Sequence, residues 1–430
     1  MRYRYSTEGN GKLIKKAIVY TQDEHRINLS DVDNDAVHIT ERLQGNGYET
    51  YIVGGAVRDL ILGKKPKDFD IVSAASPGKI KKFFKNARII GRRFRLVHVC
   101  FGAKIYEVST FRSIKDGPTS NTFGTIEEDV LRRDFTLNAL FYDPVKQIVV
   151  DYVNGMKDIR KQIIRPIIAM PYIFTDDPVR MIRAVKYGAI TGFNLPLSLR
   201  WKIRRQSGLL AEISHSRLTE EISKIIHSPH ARPIIESLDA LGLFDYLQPC
   251  AGKLFRDSRG FKARYLKTMD ALNKEAVRDS AAVDGRSDHA KKQEPAHKPG
   301  EILAALVRDY LEDLVDWNGT IHHSISERYK NAFILARKFV LPMNPPRMEL
   351  DAALRCLFAE HGVTVKKTRF SERPRYKLRP DNSRAKGNSA VSDEKKASVP
   401  VIESGAGEEP KKKRRRHKKK SGSKVSTPEI

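Results

Sequence analysis

The sequence predicts an α/β head followed by an all-helical remainder and a disordered basic tail. Three observations carry that expectation. Short apolar runs separated by turns fill the early part of the chain, and apolar residues at helical spacing follow them. The last stretch is dense in charge and has almost no apolar period.

Residues 1–29 precede the first clear pattern and read as an N-terminal extension. Val32, Ala36, Ile39 and Leu43, spaced four, three and four apart, predict a helix that Gly47 stops. Tyr51-Ile52-Val53, Ile71-Val72, 95–101 and 105–111 are apolar runs of strand length, with a helix expected over 57–62. Together they define a head over 30–155. Helical spacing then recurs at 179–187, 218–226 and 233–241, giving a neck and body over 156–272. Residues 273–300 are polar and aperiodic and read as a linker or insertion. Helical runs at 302–315, 327–339 and around 350–357 make 301–365 a C-terminal helical region. No internal repeat is evident.

Residues 366–430 hold 21 Lys+Arg against 8 Asp+Glu, so +13 of the chain's +27 lies there and +14 belongs to residues 1–365. The folded part is therefore basic in its own right, which points to a polyanionic partner, most often nucleic acid. The block from Lys411 to Lys420 can serve as an RNA-grasping arm, a nuclear-localisation-type signal or a solvated tail. No apolar run reaches the roughly 18–20 residues of a spanning helix, and the first twenty residues lack a secretory apolar core. Cys100, Cys250 and Cys356 are far apart and match no zinc spacing, which excludes a disulfide scaffold and suits a reducing, cytoplasmic setting.

The chemistry concentrates in YIVGGAVRDLILGKKPKDFDIV, residues 51–72. A strand runs into Gly54-Gly55 and a helix follows at once. Glycines allow close backbone approach, and a helix start offers free N–H groups, so the turn can cradle phosphate. Asp68 and Asp70 flank Phe69 at the start of the next strand and so share a face. Two carboxylates about 4–6 Å apart repel by roughly 3–4 kcal/mol at an effective dielectric near 20. A hard cation between them removes that repulsion, and Mg²⁺ accepts one or two carboxylates together with phosphate oxygens.

GGAVRD, KKPKDFD, RRDFTLNAL at 132–140 and DDPVRMIRA at 176–184 resemble, in order, the motifs of the class II nucleotidyltransferases. That family comprises tRNA CCA-adding enzymes and bacterial-type poly(A) polymerases. The resemblance covers roughly residues 24–250. GRRFRLVHV at 91–99, NTFGTIEEDVLRRDFT at 121–136 and the basic tail are similar to the poly(A) polymerase branch, and no His-Asp phosphohydrolase-type motif follows.

The resemblance implies a nucleotidyltransferase head that adds AMP from ATP to RNA 3′ ends and releases pyrophosphate, with a helical neck and body that hold RNA. It implies Asp68 and Asp70 as ligands of two Mg²⁺ ions. Gly54, Gly55, Arg58, Arg132 and Arg133 would contact the nucleotide's phosphates and ribose. Asp134 would accept a ribose hydroxyl or stand as a third carboxylate near the metals. Asp177 and Arg180, expected three apart on one helix face, would read the base without a template. Asp176 stands where the family usually has Glu. Arg183 contacts phosphate or faces solvent, and Lys67 likewise. Glu107 either orients the metals or pairs with Arg112. Arg93 and Arg95 would share one strand face, with Arg92 on the other, beside the triphosphate, the RNA backbone or solvent.

CCA addition to tRNA is the nearest alternative activity, and an inactive RNA-binding relative is the alternative of another class; the intact Asp68/Asp70 pair argues against the latter. RNA-decay proteins are implied as partners, whereas the sequence gives no oligomeric state.

Overall fold

The computed structural model describes residues 2–7, 13–91, 96–113, 122–283, 299–317, 319 and 324–365. The basic tail at 366–430 and the arginines at 92, 93 and 95 lie outside the described residues.

The head is built from β1 (Arg2–Thr7), β2 (Leu13–Tyr20), α1 (Gln22–His25), α2 (Asn34–Gly45), β3 (Thr50–Val53), α3 (Gly55–Ile61) and β4 (Asp70–Ser73). It continues with α4 (Pro77–Phe83), β5 (Ala87–Ile90), β6 (Leu96–Phe101), β7 (Lys104–Thr110), α5 (Ile126–Arg132), β8 (Leu140–Asp143) and β9 (Ile148–Asp151). The nine strands form one sheet in the order β1-β2-β9-β8-β3-β4-β7-β6-β5. All neighbours are antiparallel except β4 and β7.

The sheet is covered on both faces, which is why its central strands read as unbroken apolar runs. Ile52, Ile71, Leu140, Tyr142 and Val149 face the main core, which α2 closes with Ala36, Ile39 and Leu43. Their strand neighbours Tyr51, Val53, Val72, Phe141 and Val150 point the other way, onto Ile126 and Val130 of α5. Alternation at period two thus splits each strand between two cores.

The sheet begins earlier than expected. Residues assigned to an N-terminal extension form β1 and β2, and β2 pairs with β9 through Ile18 and Asp151. Strong alternation is absent there because the β1–β2 ribbon is half exposed and carries Arg and Lys among its apolar residues.

The helical remainder comprises α6 (Gly155–Arg160), α7 (Ile173–Asp176), α8 (Val179–Thr191), α9 (Leu197–Gln206), α10 (His215–Ile226), α11 (Ala231–Ala240), α12 (Phe244–Leu247) and α13 (Pro249–Asp257). After them come α14 (Arg259–Val283), α15 (Pro299–Leu311), α16 (Ile325–Val340) and α17 (Arg347–Glu360). The main core runs without a break from the sheet into these helices. Helix α14 continues to Val283, well into the stretch expected as a linker.

Candidate active site

Gly54 ends β3 with φ 74° and ψ −137° and caps α3. A side chain is strained at that backbone angle, and a Cβ there would stand 3.6 Å from Asp70 Oδ2. The register pairs Val53 with Asp70, so the glycine turn lies directly beside the second aspartate. Phe69 is buried in the main core and Asp68 is open to solvent, while Asp70 reaches the surface as a residue but holds its carboxyl largely out of water. Strand β4 itself starts at Asp70, leaving Asp68 in the segment leading into it.

The parallel pairing of β4 with β7 brings Glu107 alongside. The Asp70 carboxyl has its pKa raised by desolvation first, then by the charges of Glu107 and Asp68, while Arg133 pulls the other way. Asp70 and Glu107 therefore share the α5 side of the sheet, with the charges of Asp68 and Arg133 acting on Asp70. Glu107 Oε1 also lies 3.5 Å from His98 Nε2, across the β6–β7 pair.

Hard oxygen donors, mutual repulsion and a neighbouring glycine turn fit Mg²⁺. Among the described residues no three His, Cys, Asp or Glu side chains form a ready-made metal cage.

Of the motif arginines, Arg133 is the one whose charge acts on Asp70. Arg133 is held by Asp129 Oδ2 at 2.9 Å, donates to the Asn138 carbonyl at 3.2 Å and lies over the Phe141 ring at 4.9 Å. Arg132 donates to the Ser113 carbonyl, and its pKa is lowered by desolvation and by the like charges of Arg112 and Arg180. Arg58 is buried; it donates to Asp59 and Asn138 and lies 5.5 Å from the Tyr187 ring centroid. Gly55 abuts it, since a Cβ there would meet Arg58 Nη2 at 3.5 Å.

Asp134 sits at the seam between head and neck. Its Oδ1 accepts from the Phe135 amide at 2.8 Å, and Oδ2 lies 2.9 Å from Arg183 Nη2 as an ion contact without hydrogen-bond alignment. Arg183 also donates to the Tyr187 hydroxyl at 2.9 Å. Arg180 and Arg183 of the neck are charged neighbours of Asp134.

Asp177 and Arg180 are neighbours for a different reason from the one expected. Asp177 is not helical; it is extended (φ −152°) at the break between α7 and α8, and Pro178 opens α8. The Asp177 carboxylate accepts from the Val179 amide at 3.2 Å, and the Arg180 amide returns to the Asp177 carbonyl at 3.1 Å. Arg180 is buried and donates to the Ile173 carbonyl at 3.1 Å. Burial lowers its pKa, opposed by the charges of Asp177, Asp134 and Asp176.

Sequence reasoning missed Arg217 on α10, whose Nη2 lies 3.0 Å from both Asp177 oxygens. No local signal marks it, because the pairing spans forty residues. His98 and Asn138 were also missed, and only strand register and a buried turn reveal them.

A separate cavity of about 580 Å³ lies beyond the far end of β4, lined by Arg4, Glu49, Ala74 and Thr125 among others. Of the motif stretches it touches only Gly124, Thr125, Ile126 and Glu127, and it contains none of the candidate catalytic or nucleotide-binding side chains.

Comparison with known proteins agrees with this geometry. Residues 50–165 match the family described as the poly A polymerase head domain, and 192–254 match one described as the probable RNA and SrmB-binding site of polymerase A. The chain is 34% identical over 339 residues to poly(A) polymerase I of Salmonella typhimurium, covering 75% of this chain and 70% of that one. It is 38% identical over 225 residues to the CCA-adding enzyme of Geobacillus stearothermophilus, covering 51% and 55%. Among solved structures, a tRNA-processing enzyme in an apo form superposes with a TM-score of 0.51 at 20% identity, covering 77% of this chain and 78% of that one. That likeness concerns the fold.

Proposed function

From the premise that the chain belongs to the class II nucleotidyltransferase family of poly(A) polymerases and tRNA CCA-adding enzymes, and is an enzyme of that kind, we propose that it is a template-independent poly(A) polymerase. It joins AMP from ATP to RNA 3′ ends. The terminal 3′ oxygen forms a bond to the α-phosphorus, the bond from that phosphorus to the β-phosphate bridge breaks, pyrophosphate leaves and the hydroxyl proton passes to solvent.

The observation that carries this reading is the Asp70 carboxyl beside the Gly54 turn, under the charges of Glu107 and Asp68. Asp68 and Asp70 would hold Mg²⁺, which supplies charge neutralisation on the triphosphate and acidifies the attacking hydroxyl. The chain's own part is placement. Gly54 leaves room beside Asp70, and Arg133 and Arg132 present cations to phosphate. Asp134 fixes Arg183 and so the neck helix against the head. Arg180 is a donor and Asp177 an acceptor for the edge of adenine.

Adenylylation is favoured over CCA addition because the match to the poly(A) polymerase runs through a longer part of the chain. A cytoplasmic location fits three cysteines that form no disulfide. No described helix is long and apolar enough to cross a membrane.

The test is extension of an RNA primer with each nucleoside triphosphate supplied alone. ATP should give a long ladder that chelation of Mg²⁺ abolishes, and Asp68→Asn or Asp70→Asn should lose on the order of 10²–10³-fold or more. A requirement for CTP with arrest after three additions to tRNA would establish the CCA reading instead. Full incorporation by either aspartate variant would remove the catalytic assignment.

A further inference from the structure

Helix α9 (Leu197–Gln206, LSLRWKIRRQ) has no acidic residue. Leu199 and Ile203 anchor it to the core, and the opposite face carries Leu197, Arg200, Trp201, Arg204 and Arg205. Those five positions follow i, i+3, i+4, i+7 and i+8, so they form one continuous stripe about 12 Å long. Leu197 is 80% exposed and Trp201 is 60% exposed. The Arg205 guanidinium lies over the Trp201 ring, 5.1 Å from its centroid. Arg204 is steadied by donating to the Ala240 carbonyl at 3.0 Å.

Some cations on the helices that follow are neutralised: Arg217 by Asp177, Lys224 by Glu220, Arg256 by Asp245 and Lys262 by Asp239. Among the described residues none of Arg200, Lys202, Arg204 and Arg205 pairs with a carboxylate. An indole is costly to leave in water, and the three unneutralised arginines of the stripe repel one another. A ligand offering both a flat apolar face and phosphate charge relieves both penalties.

We propose that the exposed face of α9 is a stacking platform for single-stranded RNA, with Trp201 receiving a base and Arg200, Arg204 and Arg205 tracking the adjoining phosphates. This rests on the RNA-tailing reading for the identity of the substrate and, within the 192–254 match, goes beyond it in naming the helix face and the stacking contact. Trp201 is a binding residue, remote from the bond-making step. A protein partner seated on Leu197 and Trp201 is the competing occupant.

The chain offers an internal reporter, since it has two tryptophans. The other, Trp317, is 7% exposed and stacked on His361 at 4.2 Å. The full chain is titrated with an oligoadenylate in the absence of Mg²⁺ and ATP, and tryptophan emission is followed. Saturable quenching is expected, weakening as salt rises. Trp201→Phe should bind RNA nearly as well yet show no quenching. Trp201→Ala should lose roughly 5- to 100-fold in affinity, seen as a higher KM for primer at unchanged kcat. Arg205→Ala should lower the logarithmic salt slope by about one.

Absence of quenching together with unaltered RNA affinity in Trp201→Ala overturns the platform and leaves the exposed pair to a protein contact. AMP incorporation by that same variant shows whether the polymerase reading survives. Quenching without any incorporation by the unaltered chain would keep the platform and sink the polymerase.

Discussion

Arg217→Ala should relax nucleotide choice. Its Nη2 lies 3.0 Å from each Asp177 oxygen, so one nitrogen clamps the whole carboxylate. The bare Coulomb energy at that distance is about 1.4 kcal/mol in water-like surroundings and about 5.5 kcal/mol at an effective dielectric of 20. The Arg217 side chain is 51% exposed and Asp177 22%, which puts the pair near the low end. Side-chain ordering and desolvation reduce it further, to about 1 kcal/mol. If that energy is what holds Asp177 where it can accept from the adenine amino group, the ratio of kcat/KM for ATP over CTP should fall roughly five- to tenfold, since about 1.4 kcal/mol is a factor of ten. Stability should change by less than ~1 kcal/mol. The measurement is single-nucleotide incorporation with each triphosphate in turn, compared with Asp177→Ala. Arg217→Lys, keeping the charge on a shorter side chain, should recover part of the selectivity. The reasoning fails if Arg217→Ala keeps the ATP preference that Asp177→Ala abolishes.

The parts of the fold that were legible are those whose pattern is local. Ala36, Ile39 and Leu43 mark α2 because one helix face meets one core. Strand β3 and the turn at Gly54 are equally clear, because both faces of that strand are buried and the glycine alone tolerates its backbone angle. Strands β1 and β2 escaped because a half-exposed ribbon has little apolar signal. Helix α9 escaped because only Leu199 and Ile203 anchor it, too few to establish a period. The site divides in the same way. Glycines and aspartates declare themselves through motif spacing, whereas the clamp by Arg217 and the contact of Glu107 with His98 depend on which elements become neighbours. The Asp177–Arg180 pair was named for the wrong geometry. Helix spacing was assumed, and Pro178 in fact moves Asp177 outside the helix, freeing its carboxylate to face both the Val179 amide and Arg217.

Two further perturbations probe the frame that holds the site. His25 is buried and neutral: Nδ1 accepts from the Ile27 amide at 3.0 Å, and Nε2–H donates to the Gln147 carbonyl at 3.1 Å. Desolvation lowers its pKa below the ordinary 6.5, so the unfolded chain binds the extra proton first. Its contribution to stability is therefore complete above pH 6.5 and is lost as pH falls through the depressed folded value. Thermal melts from pH 7.5 down to 5.5 (a range of about two units around the ordinary value) should show this, and His25→Gln should flatten the dependence; an equally steep curve in the variant refutes it. The second perturbation is Lys186→Met. Lys186 Nζ meets Glu221 Oε2 at 2.7 Å between α8 and α10, and both residues are buried. Removing the cation leaves Glu221 in the interior, which costs about 3–5 kcal/mol in such pairs. Lys224 lies 4.0 Å from the same carboxylate and offers partial relief, so a value near 3 kcal/mol is expected. Because α8 also carries Arg180 and Arg183, nucleotide binding should weaken alongside. Adding Glu221→Leu removes the stranded charge and should restore most of the loss in denaturant unfolding, since the pair's own net contribution is small. A double variant as unstable as the single would mean that packing of the lysine stem, and not the orphaned carboxylate, holds α8 against α10.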